Sequence, residues 1–450
     1  MTERLVSELD LAVRLWTDGD DLETSILDAT KDEVFEFSEV LALIIRHHSQ
    51  THTQNNELFS FTANSALSGG SHPCASPVCR NQRIESLMAF AALYADEVYI
   101  QQPFENIALR DPASIQEVDR HNLIAGITNY KTLSPLIERG VIKYAQDLNP
   151  FCDHHNATVA RPLLEKIEAK SQQLEVEITR MLLESCSVTF NHTNKHGPFF
   201  EISGPEGVVE HGTVYFHAFK PMPKIFRLFQ KKSSIYRLSK SEMEDSGVLR
   251  LIVKPIVKDI SFQEWHTALN GTSYLCDNPS HMKLVSSVNS DVFAANVSAF
   301  ANGFRHSLPQ VYASEPMALL KLRDRESESF FVYRDKLRRL LQQSEGWNEK
   351  EVQRIFREEV LPELNGLKKK LRDWRENSRE ALGEKLIFGS GTVTLGLYAG
   401  ILPPDIGQLV AALGGTSAVA GLLMDWNKSF KEKQQARASD FFFLWEAGAR

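Results

Sequence analysis

Three groups of residues have the types that chemistry needs. The segment GPEGVVEHG brings Glu206, Glu210 and His211 close together, with Lys220 a short way beyond. Carboxylates and a lysine on adjoining strands can hold a divalent cation and orient an attacking water, which is what a metal-dependent hydrolase or nuclease requires. A polar turn at a sheet edge uses the same residue types and is the more economical reading. The second group is Cys74 and Cys79 in HPCASPVCR together with Cys152, His154 and His155 in PFCDHH. Thiolates and an imidazole could complete a tetrahedral zinc site, but the second half is an irregular Cys-x-His and not a second knuckle. Reduced thiols account for it more simply, so no cofactor is assigned and zinc stands as the alternative. The third group, His47, His48 and His52, falls at the end of an amphipathic helix, where imidazoles serve as a solvated C-terminal cap.

Nucleophilic and phosphate-binding signatures are missing. The chain has no G-x-S-x-G, no H-E-x-x-H, no P-loop and no G-x-G-x-x-G. No catalytic residue is therefore assigned. The one basic run, Lys368-Lys369-Lys370 with Arg372, reads as a solvated helix face.

The elements that must position these residues follow from periodicity. Leu5, Leu9, Ala12, Val13 and Trp16 share one helical face. A second helix opens at Thr30 with Glu33 three residues on, the reciprocal cap, and carries Val34, Phe37, Leu41, Ile44 and Ile45 on its apolar side. A long polar loop follows from the histidines to Gly69, Gly70 and Pro73; loops of this length are functional or disordered. Helix and strand then alternate twice, with a helix through about Tyr94, a strand at Val98–Ile100, and a helix ended by Gly140 before VIKYA. From Arg161 to Leu183 a charged helix returns, and after it the period changes to two, predicting an antiparallel meander to about residue 219. VLRLIVKPIVKDI reads as one or two further strands interrupted at Pro255.

The C-terminal third differs from the rest. Residues 317–385 carry dense charge of both signs around apolar stripes and read as long helices, divided at Pro362. Then LIFGSGTVTLGLYAGIL and IGQLVAALGGTSAVAGLLM flank Pro403-Pro404-Asp405, predicting an apolar helical hairpin over 386–424. Gly396 and Gly400 in the first arm and Gly415 in the second would let two helix backbones approach closely, in water or in lipid. The chain closes on Phe441-Phe442-Phe443-Leu444-Trp445, a run that should pack on the bundle or dock into a partner.

The fold class expected is α+β: a mixed α/β region over 1–160, a strand-rich middle over 161–316, and a helical domain over 317–450 with the hairpin and the aromatic tail. At 450 residues, 42% hydrophobic and 24% charged, the chain can bury more than one core. A formal net charge of −8 and a pI near 6.0 argue against nucleic acid as its main partner. A polar N-terminus and five scattered cysteines point to the cytoplasm. The leading functional expectation is a non-enzymatic interaction protein or effector, with a soluble sensing or docking part, a protein partner, and a C-terminal hairpin able to associate with a membrane in an active state. In layout alone this resembles pore-forming helical toxins, which hide such a hairpin until triggered. The alternatives are the metal-dependent hydrolase or nuclease and a structural subunit of a larger complex.

Overall fold

The structure, a computed structural model, describes residues 2–49, 60–71, 76–145, 161–193, 197–204, 209, 212–217, 234–270, 272–276, 308–313, 316–325, 386–391 and 394–396. Helices and sheets both contribute, as the α+β class requires. Three helices open the chain: α1 (Thr2–Thr17), α2 (Leu22–Asp28) and α3 (Lys31–Ser49). Leu5, Leu9 and Val13 of α1 are buried, as are Val34, Phe37, Leu41 and Ile45 of α3. Trp16 lies flat on Phe37, ring centroids 4.3 Å apart. The reciprocal cap forms as the spacing predicts: Thr30 N donates to Glu33 Oε2 at 2.7 Å, and Glu33 N donates to Thr30 Oγ1 at 3.3 Å.

Next come β1 (Ser60–Ala63), α4 (Pro77–Tyr94), β2 (Glu97–Ile100), a short α5 (Glu105–Ala108), α6 (Glu117–Glu138) and β3 (Ile142–Tyr144). Gly140 adopts φ +70° just past α6, and its N–H bonds Ile137 O at 2.9 Å. Strand β1 lies inside what the sequence predicts to be one continuous polar loop. Four residues are too few for periodicity to register, and a strand buried on both faces does not alternate.

Strands β1, β2 and β3 are parallel neighbours in that order. On the other side of β1 sits β8 (Ser273–Cys276), also parallel, and beyond it β11 (Thr394–Gly396), antiparallel. The sheet therefore runs β11-β8-β1-β2-β3. One face is apolar: Phe61, Ala63, Val98, Ile100, Ile142 and Leu275 join a core with residues of α1, α3, α4 and α6. The other face is polar, with Thr62, Tyr99 and Lys143 in one register row.

A second core lies under an antiparallel sheet of order β6-β5-β4-β7. It is built from α7 (Arg161–Ser185), β4 (Ser187–Thr193), β5 (Gly197–Ser203), β6 (Thr213–His217), β7 (Ser234–Arg237), α8 (Lys240–Ser246) and α9 (Arg250–Asn270). Its inner residues include Ile178, Leu182, Val188, Phe190, Phe200, Ile202, Ile256 and Cys276. The meander appears where the period of two predicts it. VLRLIVKPIVKDI does not form strands. It is largely helix α9, with Pro255 inside it. Leu249, Ile252, Val253, Ile256, Val257 and Ile260 are all buried at helical spacing, and that packing outweighs both the β-branched content and the N–H that proline lacks.

Strand β9 (Leu308–Ala313) and helix α10 (Pro316–Arg325) follow, and β10 (Leu386–Gly391) pairs antiparallel with β9. Residues 386–391 and 394–396, at the start of the stretch expected to form a helical hairpin, are described as strand, and the hairpin as a whole falls mostly outside the described residues. Gly389, Gly391 and Gly396 weaken a helix, and Ile387 and Thr394 favour an extended chain. Residues 392–393 and 397–424 lie outside the described residues, as do the aromatic tail and all of the charged segment after Arg325.

Candidate functional site

The residues singled out by type are placed unevenly. Glu206, Glu210 and His211 lie outside the described residues, although the base of their turn is held by Gly204 N donating to Gly212 O at 3.0 Å. Cys74, Cys152, His154 and His155 lie outside as well; Cys79 sits in the first turn of α4 as a partly exposed thiol in no disulfide. Among the described residues no group of three or more His, Cys, Asp and Glu is placed to hold a metal ion. Gly396 ends β11, while Gly400, Pro403, Pro404, Asp405 and Gly415 are not among the described residues. Among those described, no helix is long and apolar enough to cross a membrane. Of the three histidines, His47 is exposed, but His48 is not a solvated cap: its side chain is 9% exposed and pairs with Glu8 Oε2 of α1 at 3.0 Å. The amphipathic face that α3 presents to α1 puts that imidazole inward.

The polar residues that do gather are at the carboxyl edge of the parallel sheet. Progression from β1 to β2 to β3 moves one way across the sheet, and β8 is added on the opposite side of β1. Open α/β sheets bind ligands at such a reversal, beyond the carboxyl ends of the two strands that flank it. The chain leaving β1 there is Asn64-Ser65-Ala66-Leu67-Ser68-Gly69-Gly70.

This loop is closely built. Asn64 is fully buried; its N–H donates to Leu275 O at 2.9 Å, its Nδ2 to Cys276 Sγ at 3.3 Å, and its Oδ1 accepts from Leu67 N at 3.1 Å. One residue thereby ties β1, β8 and the turn together. Ser68 Oγ donates to Asn64 O at 2.9 Å and accepts from Gln101 N at 3.1 Å, joining the loop to the end of β2. Asp259 of α9, itself buried, accepts from Ser65 N at 2.7 Å. Asn129 of α6 reaches Gly69 O at 3.4 Å. Gly69 has φ +85°, and a Cβ there would collide with Asn129 Nδ2, so only glycine fits.

One cation touches the loop, and others stand on α4, on α9 and just after α5. Arg80 and Arg83, one turn apart on α4, are 7% and 6% exposed. Arg83 Nη2 donates to Gly70 O at 3.3 Å, and Arg80 Nη2 to Asn122 Oδ1 at 2.6 Å. Lys258, next to Asp259, donates from Nζ to Asn106 Oδ1 on α5 at 2.8 Å. Although Lys258 is exposed as a residue, partial desolvation of its ammonium and then the nearby Arg110 charge lower its pKa. Arg110 in turn binds Asp119 Oδ1 at 2.7 Å, and Asp119 caps α6 by accepting from Gln116 N at 3.0 Å. At the end of β2, Gln102 is 7% exposed, and its Oε1 is a buried acceptor with no hydrogen-bond partner among the described residues. A buried open acceptor costs about 1–3 kcal/mol; the amide's Nε2 donates to Ala42 O of α3 at 3.3 Å.

On the polar face of the sheet, Thr62 Oγ1 and Thr272 Oγ1 share a hydrogen bond at 2.6 Å. Glu97 binds Lys143 and accepts from Tyr99 OH at 3.0 Å. Burial and the Glu97 charge hold the Tyr99 phenol well above its ordinary pKa, so it stays protonated.

Sequence reasoning reached Gly69 and Gly70 only as the end of a loop. The available signal was a short β-compatible run, SFTA, followed by a turn with paired glycines and then a helix begun by Pro77. Comparison of the chain with protein-family models, with curated proteins and with solved structures finds no match.

Proposed function

We propose that this chain is a non-enzymatic, ligand-responsive interaction protein. Its α/β part binds a small molecule at the carboxyl edge of the parallel sheet, and residues beyond 317 carry the output to a protein partner or, in an active state, to a membrane. The observation that carries the reading is the switch point between β1 and β8, where buried polar and cationic groups from four elements meet one glycine-bearing loop. The route to an output is short. Strand β11, from the apolar stretch 386–424, pairs with β8, and β8 pairs with β1, whose carboxyl end is the loop. A ligand that tightens the loop therefore acts on a strand two positions away from the apolar stretch. The cytoplasm is the proposed compartment, and the apolar residues 397–424 with the aromatic tail are the proposed docking elements.

The test is a thermal-shift screen of the full chain against neutral, cationic and anionic metabolites, repeated with Gly70→Val. A Cβ at Gly70 would stand 2.5 Å from Ser65 Oγ and 2.7 Å from Ser65 O. The expected result is saturable stabilisation by at least one ligand class, lost in the variant. Dye release from anionic liposomes, with and without that ligand and with residues 397–424 deleted, then reads the output. Absence of any saturable shift across the screen overturns the ligand-binding reading. Release that persists after the deletion overturns the assignment of the output.

A further inference from the structure

We infer that the open face of the antiparallel sheet is the seat of the chain's own residues 218–233, the basic and aromatic connection between β6 and β7. Strand alternation defines the face. Val188, Phe190, Phe200 and Ile202 point into the second core, so the residues between them point outward. The register sets two outward rows: Phe199, Asn191 and Ile235 in one, and Tyr215, Glu201, Thr189 and Arg237 in the other. Ile235 is 78% and Tyr215 63% exposed, and Phe199 leans on Tyr215 with ring centroids 6.2 Å apart. Large apolar side chains left open in adjoining rows make a face that favours an occupant.

Topology supplies that occupant. In the order β6-β5-β4-β7 the two edge strands follow each other in the chain. Strand β6 ends at His217 and β7 begins at Ser234. His217 is registered with Phe199, Phe199 with Asn191, and Asn191 with Ile235, so the connection leaves and returns at the same end of the sheet. Crossing this four-stranded sheet takes about 14 Å, which about five extended residues cover. Residues 218–233, which lie outside the described residues, are several times longer than that. The inner face is closed to the surplus, since α7 and α9 fill it with Ile178, Leu182, Val253 and Ile256. The outer face stands open beside both ends of the connection.

The connection has the composition such a face accepts. Phe219, Met222, Ile225, Phe226, Leu228 and Phe229 are interleaved with Lys220, Lys224, Arg227, Lys231 and Lys232, and no Asp or Glu interrupts them. Pro221 and Pro223 cannot donate to a ladder, which favours contact through side chains over an added strand. The apolar side chains meet Phe199, Tyr215 and Ile235 while the cationic heads stay in water on their long stems. A second copy of the chain is the competing occupant, and two things disfavour it. The connection is tethered to both edges of the face, so its effective concentration there is on the order of millimolar. Two copies meeting face to face would also have to accommodate both basic connections, whose like charges repel.

Limited trypsin digestion of the full chain reads the seating. Cleavage after Lys224 and Arg227 is followed by mass spectrometry, and each rate is divided by that of a peptide of residues 216–235 carrying the same substitutions. The wild-type chain should be cut at least about ten-fold more slowly than the peptide, because a seated segment is cleaved only when it opens. Phe199→Thr with Ile235→Thr, which keeps β-branched residues in the strands, should bring the rate to within about three-fold of the peptide and retain the melting transition. Phe226→Ser with Phe229→Ser leaves the sheet untouched and should do the same from the segment's side. Wild-type cleavage as fast as that of the peptide overturns the inference. Protection that survives both double variants also overturns it, since the segment is then held elsewhere. Protection that fades on dilution, together with a dimer-to-monomer change in sedimentation, gives the face to a second copy and overturns it as well.

Discussion

The two sheets of this protein treat polar residues in opposite ways. In the antiparallel sheet the inner face holds Val188, Phe190, Phe200 and Ile202, while the outer face is open enough to leave Tyr215 63% and Ile235 78% exposed. In the parallel sheet both faces are covered, and the polar row of Thr62, Tyr99 and Lys143 is closed up by its own hydrogen bonds and ion pair. A polar residue on an open face is satisfied by water and conveys little. One inside a covered sheet must find a partner or lose stability, so its presence is informative. That contrast is why the buried polar groups at the carboxyl edge, Asn64 and Asp259 among them, carry the functional argument.

The largest expected effect probes the two cores separately. Phe200→Ala, which removes a fully buried ring, should cost about 3–5 kcal/mol by chemical denaturation. The ligand-induced shift of the parallel-sheet region should survive in that variant. Phe61→Ala removes a ring packed edge-on against Phe90, centroids 5.1 Å apart, and should abolish both stability and ligand response. Equal loss of response in both variants would erase the distinction between the regions.

A pair of glycines makes the comparison sharper. Gly69 and Gly197 both have positive φ, +85° and +65°, but a Cβ at Gly197 meets nothing within 4 Å whereas one at Gly69 collides with Asn129. Gly69→Ala should cost about 1–3 kcal/mol of backbone strain and also push the Asn129 amide out of its place, and Gly197→Ala about 1 kcal/mol. Equal penalties in thermal melts would mean that the loop after β1 is no more constrained than an ordinary hairpin turn.

Removing one polar side chain from each region follows in size. Asn64→Ala leaves the Leu67 N–H without its acceptor in a buried turn and should cost about 1–3 kcal/mol. Tyr215→Ser, on the open face, should stay within about 0.5 kcal/mol.

The smallest effect is a pH dependence. The folded-state pKa of Lys258 lies below its ordinary 10.5, so on raising the pH the folded chain releases this proton before the unfolded chain does. Through that window the unfolded state binds more protons, and the Lys258 contribution to stability rises with pH. Lys258→Gln should flatten this rise in melting temperature between the lowered pKa and 10.5. An unchanged slope in that variant would mean that the folded chain does not desolvate this ammonium.

Local pattern alone determined much of the chain. The faces of α1 and α3, the Thr30–Glu33 cap, the end of α6 at Gly140 and the meander of β4 to β6 all follow from residues near each other in sequence, because capping, helical period and strand alternation act over a few positions. The site needed the tertiary structure. Asn64 and Cys276, or Ser65 and Asp259, stand far apart along the chain and become neighbours only when β8 pairs beside β1 and α9 packs across them. Strand β1 is too short to announce itself, α9 is rich in residues that favour strands, and the glycines and β-branched residues of 386–391 and 394–396 find their extended form by pairing with β9 and β8. In each case the deciding energy is a contact with a distant element, which outweighs intrinsic preferences of less than about 1 kcal/mol per residue.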